Sequence, residues 1–532
     1  LGVNFVHMIT TLEKIIIEII EKKPQTKAKF DDARQQVCGK MKIKQPGNRE
    51  LLQAYQKLLK NKRIKRDLSI EKFLRKADIR TLSGIAVVTS LVKPYACPGK
   101  CVYCPTEVRM PKSYLSSEPA AARALRLKFN PYEQMQKRIT MLKQNGHPTD
   151  KIEYIIKGGT WNAYPLKYQY WFIWQSFLAC NELSRSKSYK KNVKKINLSS
   201  SLEDLQKALQ IEQKKNEKSK HRIIGLTLET RPDAISAKTI YHMREQGCTR
   251  IELGLQAPDD KILKLVKRGH TVQQFKDAML QLRQAGFKVD LHFMPDLPGT
   301  TPEHDVEMYK LIFSDQGLCP DMVKIYPNTV IPSSELQTWY EEGKYKPYSK
   351  EALFEALLQM KMATPRYCRI SRLIRDIPAN EITAGNMVTN LREELVKELT
   401  KRGQKCVCLR CREIGRNIKA LKHENIKTSP KLFIETYETI GGTEYFLTFE
   451  DNERKAVYAF LRLRVPTEKE RNIPSPYEGE KTRAERVQRG LSELYDLLPE
   501  IKNCAFIREL HTYGQLVAIG KTEKEASQHK GM

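Results

Sequence analysis

The chain has 532 residues and carries 93 Lys and Arg against 62 Asp and Glu, a formal net charge of +31. That length accommodates about three domains with full cores and sets aside disulfide-stapled miniproteins. The charge favours a polyanionic partner, because each neutralised phosphate releases counterions. No apolar stretch is long enough to cross a bilayer and no secretory leader is evident, so no membrane partner and a cytoplasmic, reducing setting are expected.

The chain starts at Leu1, with Met8 as an alternative start, and stops at Met532 without a closing helical pattern. A fragment, or an incomplete last domain, is the expectation. Residues 1–80 read as basic helices broken at Pro24 and Pro46-Gly47. Within them, residues 21–66 hold 15 Lys and Arg against 4 Asp and Glu. Arg63, Lys65 and Arg66 are the candidates for gripping a nucleic-acid backbone, with a merely solvated face as the alternative.

From residue 81 to 365 apolar, β-rich stretches alternate with helical segments, the pattern of repeated βα units. Candidate strands are 85–89, 151–156, 223–228, 250–254, 288–293 and 321–326, predicting six parallel strands in a partial (β/α)6 barrel of α/β class. Residues 182–222 predict a helical excursion between barrel units. Residues 366–428 read as a linker, and 429–532 as a second α/β unit with antiparallel strands and a charged loop near 467–483.

Cys97, Cys101 and Cys104 stand in C-x3-C-x2-C spacing. Three thiolates so placed can hold three corners of a four-iron four-sulfur cluster and leave one iron open to an exchangeable ligand. This is the spacing of radical S-adenosylmethionine enzymes. Zinc is the alternative, but the next His or Cys after Cys104 is His147. Gly158 and Gly159 end a candidate strand where only glycine lets a cofactor come close, and Thr160 could bond the methionine amino group; an ordinary βα turn competes. Glu229 and Arg231 end another strand, as a clamp on S-adenosylmethionine or as a structural ion pair. Cys406, Cys408 and Cys411 can share one tetrahedral zinc if a fourth ligand comes from elsewhere, Cys504, Cys319 and Cys368 being the candidates.

The segments Cys97-Pro-Gly-Lys-Cys-Val-Tyr-Cys-Pro105, Lys112-Ser-Tyr-Leu-Ser-Ser-Glu118, Gly158-Gly-Thr160, Leu226-Thr-Leu-Glu-Thr-Arg-Pro-Asp233, Met294-Pro-Asp-Leu-Pro-Gly299 and Arg508-Glu-Leu-His-Thr-Tyr-Gly514 closely resemble the catalytic subunits of Elongator, in their single-chain bacterial or archaeal form. The resemblance runs from about residue 80 to the end. It implies a radical S-adenosylmethionine barrel joined to a GNAT-type acetyltransferase-like domain. It further implies an enzyme that installs a carboxymethyl group on carbon 5 of the tRNA wobble uridine, with acetyl-CoA as carbon source and an external electron donor. The linker cysteines then resemble the family's zinc site, and Arg63, Lys65 and Arg66 would hold the anticodon stem-loop.

Under the same resemblance Lys151 matches a position implicated in acetyl-CoA binding, while Glu509, Leu510, His511 and Thr512 match the strand that pairs with the pantetheine amides. Gln528 to Gly531, with Met532 beside it, looks like the opening of the pyrophosphate loop. Its second glycine and the following helix are absent after Met532, so weak acetyl-CoA binding is expected. A protein lysine acetyltransferase and a non-catalytic tRNA-binding scaffold are the rival readings; the first leaves the cysteine loop without a purpose, and the second leaves the intact thiolate trio unexplained.

Overall fold

A computed structural model describes residues 10–75, 81, 83–183, 196–417, 430–468 and 483–513. Four helices open the chain: α1 (Thr11–Glu21), α2 (Lys27–Lys40), α3 (Asn48–Lys60) and α4 (Leu68–Leu74). Thr10 caps α1 in a capping box with Glu13, and Asp67 caps α4, so each start satisfies its orphan amides locally. Ile15, Ile16, Ile19, Phe30, Val37, Leu51, Tyr55 and Leu58 form a small core of their own. The basic residues stay outside it. Arg63, Lys65 and Arg66 sit exposed in the loop between α3 and α4. Arg66 pairs with Glu71 at 2.9 and 3.0 Å, a contact too exposed to contribute much stability.

The second body is a parallel sheet of β1 (Ala86–Leu91), β2 (Lys151–Lys157), β3 (Arg222–Thr230), β4 (Arg250–Gln256), β5 (Lys288–Phe293) and β6 (Met322–Ile325). After the two-residue β7 (Thr329–Val330) comes β8 (Arg369–Arg372), which pairs parallel with β6; β9 (Ala384–Gly385) pairs back with β7. The order β1-β2-β3-β4-β5-β6-β8 follows the chain, so the sheet is a curled half-barrel with two ends that do not meet. All six expected strands are present. The seventh lies in the stretch read as linker, since Arg-Ile-Ser-Arg shows no apolar run and only Ile370 is buried. The expected excursion contains the helix Leu202–Asn216, packed on the helix Leu166–Glu182.

The third body is an antiparallel sheet of β10 (Lys431–Thr439), β11 (Gly442–Glu450), β12 (Val457–Pro466) and β13 (Phe506–Thr512) in chain order. The charged loop expected near 467–483 falls mostly outside the described residues. One face of this sheet docks on the N-terminal end of the half-barrel through buried charge. Arg508 makes a bidentate pair with Asp321 at 2.7 and 2.6 Å and reaches Glu444 at 2.6 Å. Arg283 donates to Glu444 at 2.7 Å, Arg464 to the same carboxylate at 3.2 Å, and Arg462 to the Tyr367 carbonyl at 2.7 Å. Burial alone would raise the Asp321 carboxyl; Arg508, Arg283 and Arg462 outweigh it and hold the group far below the usual carboxylate range.

Removing one partner of such a network strands the others without water. We expect Arg508→Met to cost about 3–5 kcal/mol in denaturant unfolding. A loss under about 1 kcal/mol would show that the network does not join the two bodies.

Candidate functional site

A cavity of about 1160 Å³ begins at the loop after β1, runs through the half-barrel and reaches the third body, where Phe460, Glu509, Leu510 and His511 line it. Cys97, Cys101 and Cys104 lie at its first end. Gly99 donates its amide to the Cys97 sulfur at 3.4 Å, and the Thr160 hydroxyl lies 3.7 Å from the same sulfur. Arg268 and Arg231 approach the Cys101 sulfur at 3.5 and 3.9 Å. Hydrogen bonding from Cys104 foremost, and the Arg268 charge against the opposing effect of burial, bring the Cys101 thiol down to about 4. The thiolate is the form that ligates metal.

Two glycines leave room in the site. A Cβ on Gly99 would stand 2.3 Å from an Arg231 nitrogen, so a side chain there would push that cation off the loop. Gly158 has φ +149°, and its Cβ would fall 2.0 Å from Val92, so the turn after β2 closes only with glycine. Thr160 thereby comes to face the cysteine loop.

Glu229 and Arg231 do not pair with each other. Arg231 is clamped by Asp233 at 2.9 Å through two nitrogens and donates to the Arg268 carbonyl at 2.6 Å. Glu229 points into the half-barrel, accepts from Tyr114 at 2.6 Å and lies 3.9 Å from both Lys157 and His292. Sequence reasoning missed the group that surrounds it. Glu252, 1% exposed, contacts Lys157 and Lys324 and stands 3.4 Å from His292. The available signal was a charge within or at the end of each strand; cross-strand register decides that these charges meet. Burial would raise Glu229, but Lys157, His292 and Lys324 together hold it at about 2.

At the far end β13 is the edge strand of the described sheet, and Ile507 and Leu510 are 66% and 70% exposed. Glu509 and His511 turn instead to the half-barrel. Lys288 and Arg462 bind Glu509 at 3.0 and 3.1 Å, and His511 lies 3.0 Å from the Ser83 carbonyl. Thr512 pairs with Ala459 of β12. Lys151 shares the inner face of β2 with Glu153 and Lys157 but does not line the cavity. Gln528, Gly531 and Met532 lie outside the described residues.

Cys406, Cys408 and Cys411 converge, with their sulfurs within 4.8 Å of one another. Lys361, fully buried, places its ammonium 3.9 Å from Cys411. Of the three candidate partners, Cys504 bonds the Glu500 carbonyl at 3.1 Å and Cys319 the Phe313 and Asp315 carbonyls at 3.4 Å. Cys368 is the one beside the trio: its carbonyl accepts from Leu409 at 3.0 Å, and its thiol, pushed up chiefly by burial, also feels Cys408.

The Radical SAM superfamily model matches residues 182–312, and the Radical_SAM C-terminal domain model matches residues 320–401. A tRNA uridine(34) acetyltransferase of Methanocaldococcus infernus is 40% identical over 468 residues, covering 86% of this chain and 78% of that protein. This chain belongs to that family. Another tRNA uridine(34) acetyltransferase, from Dehalococcoides mccartyi, is 37% identical, covering 85% of this chain and 88% of its own length. Elongator complex protein 3 of Danio rerio is 32% identical, covering 86% and 78%. The structure of the Methanocaldococcus infernus Elp3 with an N-terminal deletion superimposes with a TM-score of 0.61 at 37% identity, over 81% of this chain and 84% of that one. The radical S-adenosylmethionine half-barrel expected from the alternating strands and helices and from the resemblance is therefore the fold of this family member.

The Glu229 carboxyl, held at about 2 against an ordinary 4.5, adds stability that is complete above pH 4.5 and lost as pH falls toward 2. We expect Glu229→Gln to flatten the acid limb of the stability curve across that range, by about 3 kcal/mol in total. Parallel acid limbs for the two proteins, followed by circular dichroism in denaturant, would remove this assignment.

Proposed function

We propose that the chain is a radical enzyme that adds a carboxymethyl group to carbon 5 of the tRNA wobble uridine, using acetyl-CoA. The observation that carries the reading is the single cavity that joins the cysteine loop to β13. A lysine acetyltransferase would need only the second end, and a binding scaffold would need neither.

The donor set suits a cluster. Cys97 is turned toward Thr160 and Gly99 and stands apart from any trio tight enough for one ion, whereas the sulfurs of Cys406, Cys408 and Cys411 have drawn together. A single zinc with bonds of about 2.3 Å wants that tighter grouping, and a cubic cluster wants three separate corners. Cys97, Cys101 and Cys104 would hold the iron–sulfur cluster. Bound there with S-adenosylmethionine and an external electron donor, it supplies a 5′-deoxyadenosyl radical for hydrogen abstraction.

The chain's own residues do the rest. Arg231 and Arg268 would offset the charge of the thiolates, and Thr160, brought in by Gly158 and Gly159, would offer a hydroxyl beside Cys97 for the bound cofactor. Tyr114 and Lys157 hold Glu229 in place as a charged acceptor on the cavity wall. The outer edge of β13 offers backbone groups for the amides of acetyl-CoA. The linker trio would hold zinc with Cys368 as the nearest further thiol, fixing the segment that follows β8. The basic helices, with Arg63, Lys65 and Arg66, would carry the stem-loop by backbone contacts that read shape, and the target base would leave its stack to enter the cavity.

Anaerobic incubation with tRNA, S-adenosylmethionine, reductant and acetyl-CoA, followed by nucleoside mass spectrometry, should show carboxymethyluridine. Cys101→Ser should abolish both the product and the iron–sulfur absorbance. Product formed by the serine variant would sink the radical route. Binding of tRNA should weaken steeply with salt, each lost phosphate contact lowering the log–log slope by about 0.7–0.9. An affinity insensitive to salt would remove the role given to the basic helices.

A further inference from the structure

Beside β8 a second group of charges faces the same cavity. Arg369, Arg410, Glu413 and Arg416 all line it. Glu413, almost fully buried, accepts from Arg369 at 2.7 and 2.8 Å and from Arg416 at 2.9 Å. Arg392 lies behind them and donates to the Ile370 carbonyl at 3.2 Å. Among the described residues Arg410 forms no ion pair, and its hydrogen bond is to the Ser371 carbonyl at 3.5 Å. The next carboxylate toward Arg369, Glu153, is already taken by Arg250. Arg369 and Arg416 thus share one carboxylate, with the Arg410 and Arg392 guanidinium groups crowded beside them in a half-buried position.

Such crowding is unfavourable in the protein alone. A fold that keeps like charges together against this penalty has a place for an anion. Planar guanidinium groups match the paired oxygens of a phosphate. The site also lies on the wall of the cavity that must admit a nucleotide.

We propose that Arg369, Arg410 and Arg416, grouped around Glu413, bind one backbone phosphate of the RNA whose base enters the cavity. The site rests on the RNA-modifying reading above and adds to it a fixed anchor next to the reacting base. Contacts made by the N-terminal helices hold the stem-loop from outside; this one sets how deep the nucleotide sits. A phosphate of coenzyme A offers the same chemistry, and the test separates the two sources.

Fluorescence anisotropy with a synthetic anticodon stem-loop RNA, titrated over a range of NaCl concentrations, reads the site directly. Arg410→Gln should weaken binding roughly tenfold at low salt and reduce the log–log salt slope by about 0.7–0.9. Arg410→Lys, which keeps the charge, should recover most of the loss. Calorimetry with coenzyme A alone should give the same affinity for Arg410→Gln as for wild type, and the melting temperature of the glutamine variant without RNA should stay level or rise, because a crowded charge has gone. Unchanged RNA affinity and slope would overturn the site, as would a loss confined to coenzyme A, or a lowered melting temperature marking Arg410 as structural. Failure of the wider reading would look different: wild-type protein itself would not bind the stem-loop.

Discussion

The half-barrel and the antiparallel sheet work as one site because buried charge fixes their relation. Arg508 reaches out of β13 to Asp321 at the start of β6 and to Glu444 on β11, so one guanidinium bridges both bodies. Apolar faces alone would let the sheets slide, since dispersion and desolvation have little direction. Bidentate pairs do not tolerate such sliding, because a small displacement exposes a charge with no partner. The continuous cavity depends on this register.

That constraint also explains the fate of residues assigned to cofactor binding on β13. Glu509 and His511 were expected to serve a ligand through their strand, yet their side chains are spent on Lys288, Arg462 and the Ser83 carbonyl. Side chains on one face of the strand lock the bodies together, and β13 is the edge of the described sheet. Both statements fit the same sequence, and only register separates them.

Much of the fold was legible because parallel strands covered on both faces read as apolar runs. β1 to β6 announce themselves by their β-rich apolar residues between helical segments, and Cys97, Cys101 and Cys104 announce a metal-binding loop by their spacing, a cluster with zinc as the alternative. Strand β8 does not, because its two arginines satisfy Glu413 and Asp376 from other segments. Nor do Lys157, Glu252 and Lys324: Lys157 ends β2, Glu252 and Lys324 lie within β4 and β6, and their meeting follows from the order of strands. Glu229 and Arg231 do not form the ion pair that stood as the alternative to a cofactor clamp, because Arg231 lies past the end of β3, where the chain turns and Asp233 holds it beside the cysteine loop.

The two ends of the parallel sheet, β1 and β8, never come together. A closed ring would have to be entered from its rim, end first. An open one has a seam down its flank, bridged beyond β1 and β8 by side chains such as Arg375 on the Ser113 carbonyl and Glu118, so the seam can part without breaking any strand ladder.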